Sequence, residues 1–293
     1  MVIVRNGVKI KGVEKYMDVN EKLAFDNVID WIKSGKLRLP AYTPATLKIL
    51  GKNNFNTDIA GLERMILDDQ VLAVEVLRTA NSPFYSSVSH ITTVRTAIVR
   101  LGVEIVKRIV ILVSERARYR SWFPDLNKIM VHLWLHVSST AMSAQWLAQR
   151  LRMNSIQEVC FLGGLLHDFG KLAIICAIDE MRKTRSIEKT MSEEAFQEFI
   201  AENHCQIGYD IMKRWDIPDV YCQIARDHHK EEFAAEDLSL VIVRLADNSS
   251  TLTDEDQPAQ LLSEAPEAQA LNIEESTLLE LQKILGIHRA NAA

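Results

Sequence analysis

Cysteine is scarce in this chain of 293 residues, and the four present, Cys160, Cys176, Cys205 and Cys222, form no CxxC pair. That excludes a disulfide scaffold or a thiolate zinc knuckle as the organising device, and in apolar helical contexts each thiol behaves as a small hydrophobe. The expected state is reduced, and the expected location is the cytoplasm. Basic charge is also short, with 34 Lys and Arg against 39 Asp and Glu and a net charge of -5. A broad phosphate-binding face needs the opposite balance, so nucleic acid is not an expected partner. Long apolar runs are missing too. "IVILV" and "LAIICAI" fall far short of the ~20 residues of a membrane span, and the first residues lack a basic region followed by an apolar core. No membrane association is expected.

What the chain has instead is apolar residues at helical spacing. The exception is "MVIVRNGVKIKGV", where Asn6-Gly7 between alternating apolar residues signals a hairpin. Residues 1–19 therefore read as an appendage. From Glu21 the helical period sets in at Leu23, Phe25, Val28, Ile29 and Ile32, then at Leu47, Ile49 and Leu50. Asp58 and the Asp68-Asp69 turn are placed to start helices, "NSPFY" breaks the chain, and Gly102 separates "TTVRTAIVRL" from "VEIVKRIVILVSERARY". These form an amino-terminal helical block over residues 20–123.

A second block, residues 124–285, opens with one long helix through "LNKIMVHLWLHVSSTAMSAQWLAQRL". Ser155 is positioned to cap the next helix, "SIQEVCFLGGLLHDFGK". The segments "SEEAFQEFIAENH", "CQIGYDIMKRW", "IPDVYCQIARDHH" and "DLSLVIVRLADNSS" then read as successive helices, which puts His204 at a junction. Residues 286–293 form a tail. The fold class is all-α, a helical bundle with an additional amino-terminal helical block. The short connections predict that the two blocks pack together.

Chemistry collects at the ends of the apolar runs. "GLLHDFGK" closes a core-like segment with His167 and Asp168, and "LVIVRLAD" closes another with Asp247. A buried carboxylate needs a cation, a metal or hydrogen-bond donors. Six of the eight histidines, His132, His136, His167, His204, His228 and His229, fall within residues 132–229. His132 and His136 share one helix face at i, i+4. Any one of these has a plain structural reading: His132 as a packed core residue, Asp168 as an orienting or capping group, and His90 and His288 as surface residues. The set is better explained by imidazole and carboxylate ligation of Fe, Mn, Zn or Ni, with one ion or two.

The order His136, His167-Asp168, Asp247 resembles the H…HD…D signature of the HD superfamily of metal-dependent phosphohydrolases. His204, His228-His229 and Lys171 after "HDFG" are similar to further positions of the HD-GYP phosphodiesterases, which hydrolyse cyclic di-GMP. His132 stands where that family commonly has Glu, and "KEEFAAEDLS" after His229 carries no GYP motif. "LPAYTP", "ILDDQVLAVEVLRTANSPFY" and "TTVRTAIVRLGVEIVKRIVI" resemble the amino-terminal helices of HDOD domains, with Asp69-Gln70 in place of the usual Asp-Pro. The HDOD resemblance spans residues 20–285. It implies an all-helical output module of bacterial signal transduction with a signalling protein as partner. The HD resemblance implies the alternative, a phosphohydrolase acting on a nucleotide or other phosphate ester. In either case His136, His167, Asp168 and Asp247 would hold Fe or Mn, and His204, His228 and His229 would extend the site to a second ion. In the enzyme Lys171 would neutralise phosphate and Asp168 would position the attacking water.

Overall fold

The structure is a computed structural model that describes residues 19–35, 59–82, 90–187, 192–252 and 258–292, with residues 37 and 85. The hairpin expected at residues 1–13, the helix expected around Leu47 and the cap expected of Asp58 lie outside them. Among the described residues every regular element is helical. Two compact units make up the chain: one comprises residues 1–38 and 121–293, the other residues 39–120.

Helix α1 (Val19–Lys33) precedes the smaller unit, which contains α2 (Ile59–Leu67), α3 (Gln70–Ala80), α4 (Val94–Leu101) and α5 (Val103–Arg116). Asp69 starts α3 as expected, its Oδ1 accepting from the backbone N–H of Val71 at 2.9 Å and of Leu72 at 3.3 Å. Asn81, the first residue of "NSPFY", donates to the carbonyls of Leu77 and Ile91 at 3.0 and 2.8 Å and accepts from the Ile91 N–H. One amide thus closes the connection between α3 and α4. Gly102, at φ 83°, separates α4 from α5 in a backbone region that favours glycine.

The larger unit is built on α6 (Pro124–Arg150), a 27-residue helix with proline in its first turn. After the short 3-10 turn Asn154–Ile156 come α7 (Gln157–Leu166), α8 (Phe169–Lys183), α9 (Glu193–Arg214), α10 (Asp219–Asp227) and α11 (Leu238–Thr251). The chain ends in α12 (Pro258–Ser263), α13 (Pro266–Ala270) and α14 (Glu275–Ala292). Helix α6 packs along α7, α11 and α14, while α8 packs against both α9 and α1. The core of this bundle includes Leu147, Cys160, Ile224, Val243 and Leu281, all fully buried. Each large aliphatic side chain so buried contributes about 1.5–3 kcal/mol.

Three local expectations change. Helix α1 belongs with the larger unit: Phe25 stacks on Phe199 of α9 with centroids 4.1 Å apart, and Arg214 of α9 donates to the terminal carbonyls of Lys33 and Ile32. Ser155 does not cap α7, because the chain enters that helix through the 3-10 turn and Ile156 occupies the cap position. His204 stands inside one continuous helix rather than at a junction. Nothing at 204–205 breaks the period, and buried Phe199, Ile200 and Ile211 carry one apolar stripe past it. Asn154–Lys183 is apolar enough by composition to cross a membrane. However, 72% of its most apolar window is buried in the bundle, and the chain turns at His167 and Asp168.

Candidate metal centre

That turn places the site. His167 and Asp168 occupy the break between α7 and α8, both 1% exposed. Two glycines let the neighbouring helices come close enough to reach them. A Cβ on Gly164 would stand 2.8 Å from the Ala141 Cα of α6, and one on Gly170 would stand 1.8 Å from the His204 carbonyl oxygen of α9. The first approach brings His136 to His167, and the second brings His204 to Asp168. His228 and His229 follow the end of α10, and Asp247 comes from α11.

The polar atoms of these residues converge. His136 Nε2 lies 3.1 Å from His167 Nε2, 3.2 Å from Asp168 Oδ2 and 3.1 Å from Asp247 Oδ1. His204 Nε2 and His228 Nε2 each lie 3.5 Å from the other Asp168 oxygen, Oδ1. His229 is further out, its Nδ1 3.9 Å from Asp247 Oδ2. Lys171 Nζ donates to Asp168 Oδ2 at 2.8 Å. The structure therefore brings together all eight residues singled out in the sequence. It leaves out His132, which is exposed with its Nδ1 donating to the Lys128 carbonyl, and His90, also exposed.

The opposite edge of each ring decides which nitrogen is free. Nδ1 of His167, His204 and His228 faces the carbonyl of Gly164, Ile200 and Ala225 at 2.7, 2.8 and 3.0 Å. A carbonyl only accepts, so each Nδ1 carries the proton and each Nε2 presents a lone pair inward. His136 is held the same way by Ser250, whose hydroxyl donates to the Asp247 carbonyl and accepts from His136 Nδ1 at 2.9 Å. Thr140, four residues after His136, donates to Ser250 in turn. These hydroxyl residues were not singled out in the sequence; the signal available was their spacing, one turn beyond His136 and one turn beyond Asp247. Cys205 was also missed, and its Sγ lies 3.3 Å from His204 Nε2.

Two lone pairs facing each other across 3.1 Å, with two carboxylates beside them, require a cation between them. A proton is one solution. Burial opposes charge on His167, yet Asp168 and Asp247 together push its pKa up to about 10. Against the same burial cost, Lys171 and His167 hold Asp168 well below the usual carboxylate range, and His136 and His167 do so for Asp247. On the other side burial wins at His204, taking it down to about 3 with Lys171 adding to it, while the partly exposed His229 is also lowered, by the desolvation it does suffer and by its neighbour His228. Those imidazoles are neutral donors. Asp168 Oδ1 and His228 Nε2 are buried and make no hydrogen bond.

A metal ion fits this donor set. His136, His167 and Asp168 offer ligand atoms within 4.8 Å of one another, and so do Asp168, His204, His228 and His229. The two carboxylate oxygens of Asp168 face different imidazole groups. Imidazoles whose far N–H is tied to a carbonyl are the usual supported ligands of first-row metals.

The HDOD domain family matches residues 39–231, well over half of the sequence. The chain belongs to the HDOD family. Its fold is shared with an HDOD domain protein of Geobacter sulfurreducens, at 22% identity and a TM-score of 0.68 over 92% of this chain and 97% of that one. It is shared with a candidate metal-dependent phosphohydrolase of Shewanella amazonensis, at 15% identity and 0.66 over 94% and 99%. An uncharacterized protein of Treponema pallidum is 21% identical over 203 residues, 68% of this HDOD chain, which spans only 39% of that relative's length. Asp247 and Ser250 lie beyond the family match, on α11.

Proposed function

We propose that this HDOD chain is a metal-binding output module of bacterial signal transduction that acts on a protein partner. The observation that carries the metal is the set of four imidazoles, each fixed at Nδ1, that present Nε2 to Asp168 and Asp247. His136, His167, Asp168 and Asp247 would hold Fe or Mn, with a second ion at Asp168, His204, His228 and His229. The signalling role is supported by membership of the family and by the shared fold of a candidate signal transduction protein of Marinobacter aquaeolei, with a TM-score of 0.57. The first ion would compensate buried groups on α6, on α11 and at the turn between α7 and α8 at once, so it fastens the surface that a partner would read.

A second reading, a phosphohydrolase acting on a nucleotide-like ester, is favoured by Lys171. Its ammonium stands beside Asp168 and its side chain is partly exposed, so a cation is on hand to balance the charge of a phosphate. The ion would supply a Lewis acid and acidify water; Asp168 would orient that water and Lys171 would balance charge on the ester. Holding a scissile phosphate in line is a separate requirement, and misplacement of about 1 Å costs on the order of a hundredfold. The segment after His229 lacks the GYP motif, so turnover of cyclic di-GMP is expected to be absent or very slow.

The test has two parts. Elemental analysis of protein purified without added metal is expected to give Fe or Mn, and His167→Ala is expected to lose it; unchanged stoichiometry in that variant refutes the ligand assignment. The loaded protein is then assayed against cyclic di-GMP, linear dinucleotides and a generic phosphodiester. Robust turnover abolished by His167→Ala makes the enzyme reading primary.

A further inference from the structure

Arg244 stands three residues before Asp247 on α11 and is 8% exposed. The two N–H groups of its Nη1 are shared among the carbonyls of Asp227, His228 and Lys230 at 3.2, 2.8 and 2.8 Å. These are carbonyls of the turn that ends α10, where a helix leaves its last acceptors without intrahelical donors. The same turn carries His228 and His229. On its other edge the guanidinium meets Glu267 Oε1, through Nε at 2.8 Å and Nη2 at 2.7 Å, and its Cζ lies 4.3 Å over the Phe233 ring. Glu267, on α13, is 2% exposed.

A buried ion pair costs desolvation on both partners, and an apolar pair often serves stability as well or better. What this pair does that an apolar pair cannot is reach three main-chain oxygens at once. A guanidinium places donors in a fixed planar fork, whereas a lysine offers one point charge. Glu267 takes one edge of the fork and thereby aims the other at the turn.

We propose that Arg244 and Glu267 are a positioning pair for His228 and His229, and so set the affinity of the ion held by Asp168, His204, His228 and His229. This rests on the metal reading and extends it to α13, in the carboxy-terminal region beyond the matched family segment. Neither residue touches the ion. Their effect passes through the three carbonyls, while His136 and His167 are held separately through Ser250 and Gly164.

The experiment is a titration of the metal-free full chain with Co²⁺, read by stoichiometry and by the visible ligand-field spectrum, for wild type, Arg244→Lys and Glu267→Gln. Glu267→Gln keeps an acceptor for the guanidinium, and so keeps the question open to test where an arginine variant fails to fold. The expected result is a tenfold to hundredfold weaker second ion with an altered spectrum, an unchanged first ion, and a metal-free helical spectrum like that of wild type. Unchanged stoichiometry, affinity and spectrum in both variants overturn the proposal, as does a lowered metal-free melting temperature with normal cobalt binding. A wild-type chain that takes up no cobalt overturns the metal reading itself, an outcome distinct from wild-type binding with indifferent variants.

Discussion

Replacing Gly170 with alanine tests whether close helix approach builds the site. The added Cβ would lie 1.8 Å from the His204 carbonyl oxygen, 2.7 Å from its carbon and 2.9 Å from the Gly208 nitrogen. All three obstacles are backbone, so no side chain can rotate away. Real Cβ contacts essentially never fall below 3.0 Å, so α8 and α9 must part by about 1.2 Å. Overpacking of this kind costs about 1–3 kcal/mol, and at about 2–4 °C per kcal/mol for a chain of this size the melting temperature should fall by roughly 2–12 °C. The same displacement carries His204 away from Asp168, so metal content should fall with stability. Gly163→Ala is the control, because its Cβ would meet only the ends of the Ile224 and Val243 side chains, at 2.8 and 3.3 Å. Differential scanning calorimetry and elemental analysis on both variants decide the matter. A Gly170→Ala protein that melts with wild type and keeps its metal refutes the reasoning.

Asp168→Ala should lose both ions, because its two oxygens face both imidazole groups, and should also lose about 3 kcal/mol of stability, as expected when one partner of a buried charge cluster is removed; metal analysis beside a denaturant melt checks both. Ser250→Ala should leave the fold intact and weaken metal binding about 10- to 100-fold, since the hydroxyl fixes the inward lone pair of His136; competition with a chromogenic chelator measures it. Stripping the metal should lower the melting temperature, and readdition at a hundred times the dissociation constant should restore about 2.7 kcal/mol; a scan indifferent to chelator would remove the ion from any structural role.

The helices were legible because their period is strong and their stops are chemical. Asp69, Gly102 and Pro124 each sit where the structure begins or ends a helix, for reasons local to a few residues. The assignment of α1 was not legible. Its apolar stripe says only that one face is covered, and the cover, Phe199, lies on a helix far along the chain. His204 misled for a related reason: a polar residue ending an apolar stretch looks like a boundary, whereas a buried histidine bonded to the carbonyl one turn back continues the helix without a break.

The candidate site was legible as a list of ionisable residues that end apolar runs, and it stopped at that list. What supports the list is made of groups with no distinctive pattern in sequence: a serine, a threonine, two glycines, and carbonyls that every residue has. Ser250 matters because it lies one turn after Asp247 and meets a ring from α6; the spacing is visible, but the meeting is tertiary. Gly170 looks like part of a motif, yet its role is to be absent, leaving room for the backbone that carries His204. Arg244 is the clearest case, a lone cation inside the core-like run "LVIVRLAD" whose partners, Glu267 and three carbonyls, only the folded chain brings to it. Sequence marks the atoms that would touch an ion, whereas the atoms that hold those in place are chosen by the packing of helices, and only the fold names them.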